Sequence, residues 1–256
     1  MKSPARNDLD EIYRRLFKKF GPQGWWPGRT KFEIIIGAVL TQNTNWGNVE
    51  KAIANLRREK VMALSAIHRI PVKTLAKLIR PSGYFNIKAQ RLKNLVSFIF
   101  DEYGGSLKMI AAQRTAELRK KLLSVNGIGP ETADSILLYA FNKPTFVVDA
   151  YTRRIFYRHN WVQRDADYHE LQAIFLQNLP SDPLMFNEYH ALIVRLGKDI
   201  CRTAPRCDIC PLQDFHYSLS HKCRGCHRAF LEREIKYNGK AVPNLCHDCR
   251  CAGLLA

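Results

Sequence analysis

The fold is decided at residues 122–141, LLSVNGIGPETADSILLYAF. Two segments whose apolar residues recur at three- and four-residue spacing, AELRKKLLSV (116–125) and TADSILLYAF (132–141), are joined here by Asn126-Gly127-Ile128-Gly129. That recurrence marks amphipathic helices. The glycines permit a tight turn and let main-chain N–H groups approach a ligand, and Pro130 suits the first position of the second helix. Ile128 is expected to plug the hairpin into the core between its helices. Such a turn offers donors and a helix N-terminus to a phosphate, which makes Asn126, Gly127, Ile128 and Gly129 candidate phosphate contacts. A plain helix-to-helix turn accounts for the same residues, so the surrounding sequence has to arbitrate.

Outward from the hairpin, residues 1–200 read as helix after helix, among them FEIIIGAVL (32–40), NVEKAIANLRRE (48–59), IKAQRLKNLVSFIFDEY (87–103), TRRIFYRH (152–159) and FNEYHALIVRLGKDIC (186–201). Short connections carry Pro71, Pro81 with Gly83, Gly104-Gly105, Pro144 and Pro180 as stops. An all-α body is predicted. Lysine and arginine exceed the acids by 40 to 23, a net +17 spread along the chain, which points to a polyanionic partner. No apolar run approaches the roughly 20 residues of a bilayer span, and MKSPARNDLDEIYRRL lacks the apolar core of a signal peptide. A cytoplasmic protein working on the chromosome, monomeric and without a membrane partner, is the expectation.

All eight cysteines lie between Cys201 and Cys251, a grouping that in a reducing compartment favours metal ligation over disulfides. Cys223-x2-Cys226, nineteen intervening residues, and Cys246-x2-Cys249 have the spacing of a zinc ribbon. Between them LEREIKYNGKAVPN alternates around Asn238-Gly239, a two-residue hairpin signal. A small zinc-holding module is therefore expected over 217–256. Arg224, Arg228, Arg233 and Lys236 suit it to nucleic acid, and a purely structural cap is equally consistent with its composition. Cys251 has no assignment.

Asp149 follows the apolar run FVV and precedes a helix, so its carboxylate suits an N-cap. The capping role and a catalytic one are compatible, because a helix N-terminus favours the ionised form. The ordered set VNGIGPETA, FVVDAYTRRIF with Asp149 eighteen residues after Glu131, LTQNTNW (40–46) and GYFNIKAQRL (83–92) resembles the DNA glycosylases related to endonuclease III, in the helix-hairpin-helix superfamily. The similarity spans roughly residues 11–210. It implies a six-helix barrel bearing the hairpin (31–143) and a second helical domain from both chain ends (1–30 with 144–216), with an active cleft between them. It also implies a hairpin that grips double-stranded DNA carrying a damaged base, Gln42 entering the gap left by the flipped nucleotide, and Asp149 performing the chemistry.

In family members that also cleave the strand, a lysine two residues after the second hairpin glycine attacks the sugar; here that residue is Glu131. A carboxylate cannot form the imine, so base release without strong lyase activity is expected, the abasic site passing to a separate endonuclease. Glu131, GPQGWWP (21–27) and TQNTNW are together similar to the 3-methyladenine glycosylases of this branch. The resemblance implies Trp25, Trp26, Pro27 and Trp46 as walls of a pocket for an alkylated purine, whose positive charge favours stacking on indole faces. Core packing is the other reading of the tryptophans, and another lesion (oxidised pyrimidine, uracil, a mismatched base) or a non-catalytic DNA-binding module are the other readings of the chain. Lys120, Lys121, Arg153 and Arg154 are candidate phosphate contacts. Cys201-x5-Cys207-x2-Cys210 resembles the first three ligands of the family's 4Fe-4S loop, with His216 where the fourth belongs. His216, Cys223 or Cys251 are the alternatives for completing it, and zinc or free thiols compete with a cluster.

Overall fold

The structure is a computed structural model that describes residues 3–25 and 28–213, together with the backbone of four two-residue strands at 221–222, 229–230, 236–237 and 240–241. Twelve α-helices make up most of the described residues. They divide between two compact units, one drawn from Gly24–Val147 and Ser181–Asn187, the other from Met1–Gln23, Val148–Pro180 and Glu188–Ala256.

In the first unit, α2 (Lys31–Leu40) is apolar nearly all round and is buried accordingly. It begins at Thr30, whose Oγ1 accepts from Glu33 N at 3.1 Å. Around it pack α3 (Trp46–Arg58), α6 (Phe85–Tyr103) and α9 (Pro130–Ser135), with α8 (Thr115–Leu123) packed on α9, and Val49, Ile53, Leu92, Val96, Leu118, Leu122 and Ala133 share one buried core. The periodicity reading misses α4 (Leu64–Arg69) and α7 (Leu107–Ala111), which are too short for a 3.6-residue repeat to register. Beyond α9 the helix widens into a π turn at Ile136–Ala140.

One buried ion pair ties the two hairpin helices together. Arg119 of α8 donates to both oxygens of Asp134 on α9 at 2.8 and 2.9 Å, and Thr145 Oγ1 adds a third hydrogen bond at 3.0 Å. Asp134 is fully buried, and a buried carboxylate is tolerated only where it is paired and hydrogen-bonded in this way.

The second unit contains α1 (Arg6–Phe20), α10 (Ala150–Arg158), α11 (Tyr168–Asn178) and the greater part of α12 (Pro183–Asp199). Leu9, Ile12 and Leu16 form the buried stripe of α1. Phe156, Phe175 and Tyr189 meet edge-on or tilted in its core, and the Tyr189 hydroxyl donates to Leu9 O at 2.9 Å.

Lys236–Tyr237 and Lys240–Ala241 pair antiparallel on either side of Asn238-Gly239, as a two-residue hairpin requires. Cys223, Cys226, Cys246, Cys249, Cys251, Arg224, Arg228 and Arg233 lie outside the described residues, as does any zinc site they would form. Among the described residues no helix is long and apolar enough to cross a membrane.

Candidate active site

Asp149 caps α10 with extended backbone (φ −112°, ψ −176°). Its Oδ1 accepts from Thr152 N at 2.8 Å and from Thr152 Oγ1 at 3.0 Å, which occupies that oxygen. The other oxygen, Oδ2, faces Nε2 of the buried His190 at 3.7 Å, beyond hydrogen-bond length. Burial holds the His190 imidazole below the usual histidine range, with the neighbouring Asp149 carboxylate opposing that shift and Lys198 adding to it. A neutral imidazole leaves the carboxylate's negative charge uncompensated on its side. The Asp149 side chain retains 14% exposure, enough to meet a ligand without being bathed in water. The run ahead of it, Phe146, Val147 and Val148, is buried, and Val148 N donates to the Tyr168 hydroxyl at 3.4 Å. The aspartate therefore follows a buried run of chain and starts a helix.

The hairpin turn lies in the other unit. Ile128 is buried in the core cluster, as its apolar side chain between two glycines led us to expect. Gly127 stands at φ +91°, and a Cβ there would come within 2.3 Å of Arg91 Cγ, so glycine is required twice over. Gly129 is the N-cap of α9 with no side-chain cap, and Asn126 and Gly129 are exposed. Main-chain donors and a helix N-terminus are thus presented at the surface. Glu131 sits exposed in the first turn of α9, where an acid suits the helix dipole.

Gln42 is anchored to this turn. Its Nε2 donates to Gly127 O at 3.1 Å and to Thr132 Oγ1 at 2.9 Å, while its Oε1 accepts from Arg91 Nη1 at 2.5 Å. Sequence reasoning missed Arg91 and Thr132, which fall in quoted motifs, because only the folded chain brings their side chains to Gln42, and it missed His190 because only the folded chain brings it to Asp149; Thr152 is the local partner that an N-cap at Asp149 implies. It also passed over Tyr84, held at φ +44° with 68% of its surface exposed ahead of α6. An aromatic so exposed on strained backbone is a signal visible only in three dimensions.

Trp25 is half-buried, and Trp46 is half-buried at the first position of α3, packed against the core. Trp26 and Pro27 lie outside the described residues. Lys120 is exposed at the end of α8, and Lys121 pairs with Glu102 at 2.7 Å. Arg153 donates to Ala166 O, and Arg154 donates to Gly197 O and Cys201 O at 2.8 Å each. Both arginines are engaged with the protein's own carbonyls.

Cys201 and Cys210 are buried, Cys207 is partly so, and Arg158 Nη1 lies 3.4 Å from Cys201 Sγ. His216 lies outside the described residues, among which no three His, Cys, Asp or Glu side chains gather into a metal-holding group. The three thiols are one ligand short of the four that a 4Fe-4S cluster takes, and the candidate fourth lies outside the described residues.

Residues 36–181 match the family profile described as the HhH-GPD superfamily base excision DNA repair protein. A Methanocaldococcus jannaschii protein provisionally named a DNA repair glycosylase is 48% identical over 216 residues, covering 84% of this chain and 98% of its own. The endonuclease III of Thermotoga maritima is 28% identical over 211 residues, 80% of this chain and 91% of that one. The crystal structure of the H. pylori 3-methyladenine DNA glycosylase bound to 1,N6-ethenoadenine superposes with a TM-score of 0.66 at 33% identity, covering 75% of this chain and 97% of the other.

Proposed function

Because this chain belongs to the HhH-GPD superfamily of base excision DNA repair proteins and is a DNA glycosylase of its endonuclease III family, we propose that it hydrolyses the N-glycosidic bond of alkylated purines without cleaving the strand. The observation that carries the reading is the division of labour on Asp149: one oxygen holds the helix and the other is left for chemistry.

In that reaction the target nucleotide is drawn out of the duplex. The bond from C1′ to the base nitrogen breaks, its electron pair leaves with the base, and positive charge develops on the sugar. Asp149 Oδ2 stabilises that charge and takes a proton from the incoming water, whose oxygen bonds to C1′. An alkylated purine starts with positive charge on the base, so it departs without first being protonated. Glu131 has no amine with which to form an imine, and the product is an intact abasic site for a separate endonuclease.

Trp25 supports the purine reading as a half-buried indole able to stack on a cationic base, with Trp26, Pro27 and Trp46 as its companions in the wall. For DNA backbone, Asn126 to Gly129 and the exposed Lys120 are the contacts, with Lys121 beside them, and Gln42 would leave its hairpin bonds to fill the vacated stack. Arg153 and Arg154, which also donate to the carbonyls of Ala166, Gly197 and Cys201, are the further candidates for a phosphate. A panel of duplexes, each with one modified base, tests the assignment. Methylated purines should be released to give alkali-labile sites without direct strand breaks, and Trp25→Ala should lower that release roughly tenfold while DNA binding persists. Preference for oxidised pyrimidine, uracil or a mismatch would reassign the substrate.

The cysteine loop belongs to the proposal as well, with Cys201, Cys207, Cys210 and His216 as iron-sulfur ligands and Cys223, Cys226, Cys246 and Cys249 as zinc ligands; such groups would hold the chain's C-terminal part together. Purified protein is expected to contain iron with a visible absorption band and about one zinc per chain. Colourless protein containing only zinc would remove the cluster.

A further inference from the structure

Lys88 lies in α6 with its side chain almost wholly buried, an expensive place for an ammonium. Its Nζ donates to two carbonyls from separate parts of the chain, Leu40 O at 2.7 Å and Ser82 O at 2.6 Å. Leu40 is the last residue of α2, and Ser82 ends a short 3-10 turn at Arg80–Ser82. Two residues beyond the first carbonyl is Gln42; two residues beyond the second is Tyr84. The buried charge holds two separate backbone segments to one side chain.

What the two segments carry suggests the reason. Gln42 ends in an amide whose two N–H donors go to Gly127 O and Thr132 Oγ1 and whose oxygen accepts from Arg91, bonds that it can exchange for those of a base edge. Tyr84 presents a large ring to solvent from a backbone held at φ +44°, directly after Gly83 at φ +66°. An exposed ring with fixed backbone suits stacking against a nucleobase. The carbonyl of Tyr84 accepts from the backbone N–H of Lys88 at 3.0 Å, so the lysine starts the helix from the same residue it helps to place.

We propose that Lys88 is a positioning residue that clamps the segments bearing Gln42 and Tyr84 at a fixed spacing, so that the two side chains act together on DNA from which one nucleotide has been drawn out. The inference rests on the base-excision reading above. Burial and the nearby Arg91 bring the ammonium down to about 8. Deprotonation leaves an amine with two N–H donors for two carbonyls, so the clamp holds in either protonation state.

The test compares one alkylated purine in two duplexes, opposite its normal partner and opposite an abasic analogue that lowers the cost of extrusion. For Lys88→Met the single-turnover rate should fall roughly tenfold or more on the paired lesion and less than about threefold on the unpaired one. A fluorescent base analogue beside the lesion should report slowed extrusion. Gly83→Ala, where a Cβ meets open space and only the backbone is strained, perturbs the Tyr84 side alone and should give the same split even if Lys88→Met does not fold. Equal losses on both duplexes in a folded variant, or no loss on either, overturn the clamp. A wild-type chain that releases no base from any duplex overturns the base-excision reading instead.

Discussion

Asp149→Asn should abolish base release, by roughly a thousandfold or more, and leave both the fold and DNA affinity intact. The substitution separates the two duties of the residue. Asparagine caps helices as well as aspartate does, so its side-chain oxygen can keep the hydrogen bonds from Thr152 N and Thr152 Oγ1. It carries no negative charge with which to stabilise the developing sugar cation or remove a proton from water. Because His190 is held neutral by burial, losing the carboxylate strands no buried cation. The polyanion is also repelled less, and affinity is expected to stay level or rise. Excision assays beside a binding titration and a thermal melt decide the matter; near-normal turnover would remove Asp149 from the chemistry.

The second large effect is on stability. Asp134→Ala strips Arg119 of two hydrogen bonds and Thr145 of one, inside a site with no access to solvent for the carboxylate. Breaking a buried pair from one side costs about 3–5 kcal/mol, readable in a denaturant melt. Replacing both partners together, Arg119→Met with Asp134→Leu, should recover much of the loss, because the cost comes from the stranded charge and not from the missing attraction. If Asp134→Ala melts with the wild type, the pair does not hold the hairpin.

The helical body was readable because its long helices repeat their apolar residues faithfully. Apolar α2 announced its burial, and the glycines of the hairpin announced the turn, with Ile128 falling into the core beside them. Asp149 could be placed at the head of a helix from sequence, yet its two oxygens could not be told apart there. That distinction needs His190, forty-one residues along, which no local pattern links to Asp149, beside Thr152, the local partner of the cap. Arg154 shows what the local sequence leaves out: two adjacent arginines after a candidate catalytic residue look like phosphate contacts, and only the folded chain shows that the Arg154 guanidinium also donates to Gly197 O and Cys201 O. Lys88 was hidden for the same reason, since a lysine in an amphipathic helix ordinarily faces water.

The π turn at Ile136–Ala140 bears on how this chain should be aligned and edited. A wide turn accommodates about one residue more than an ordinary helical turn. The separation between Glu131 and Asp149 is therefore not a rigid ruler: a relative lacking that residue would show a single-position gap inside an otherwise continuous helix. Deleting one residue there should convert the turn to regular helix and leave the residues on either side of it in register, so the shortened chain is expected to fold and to keep its activity.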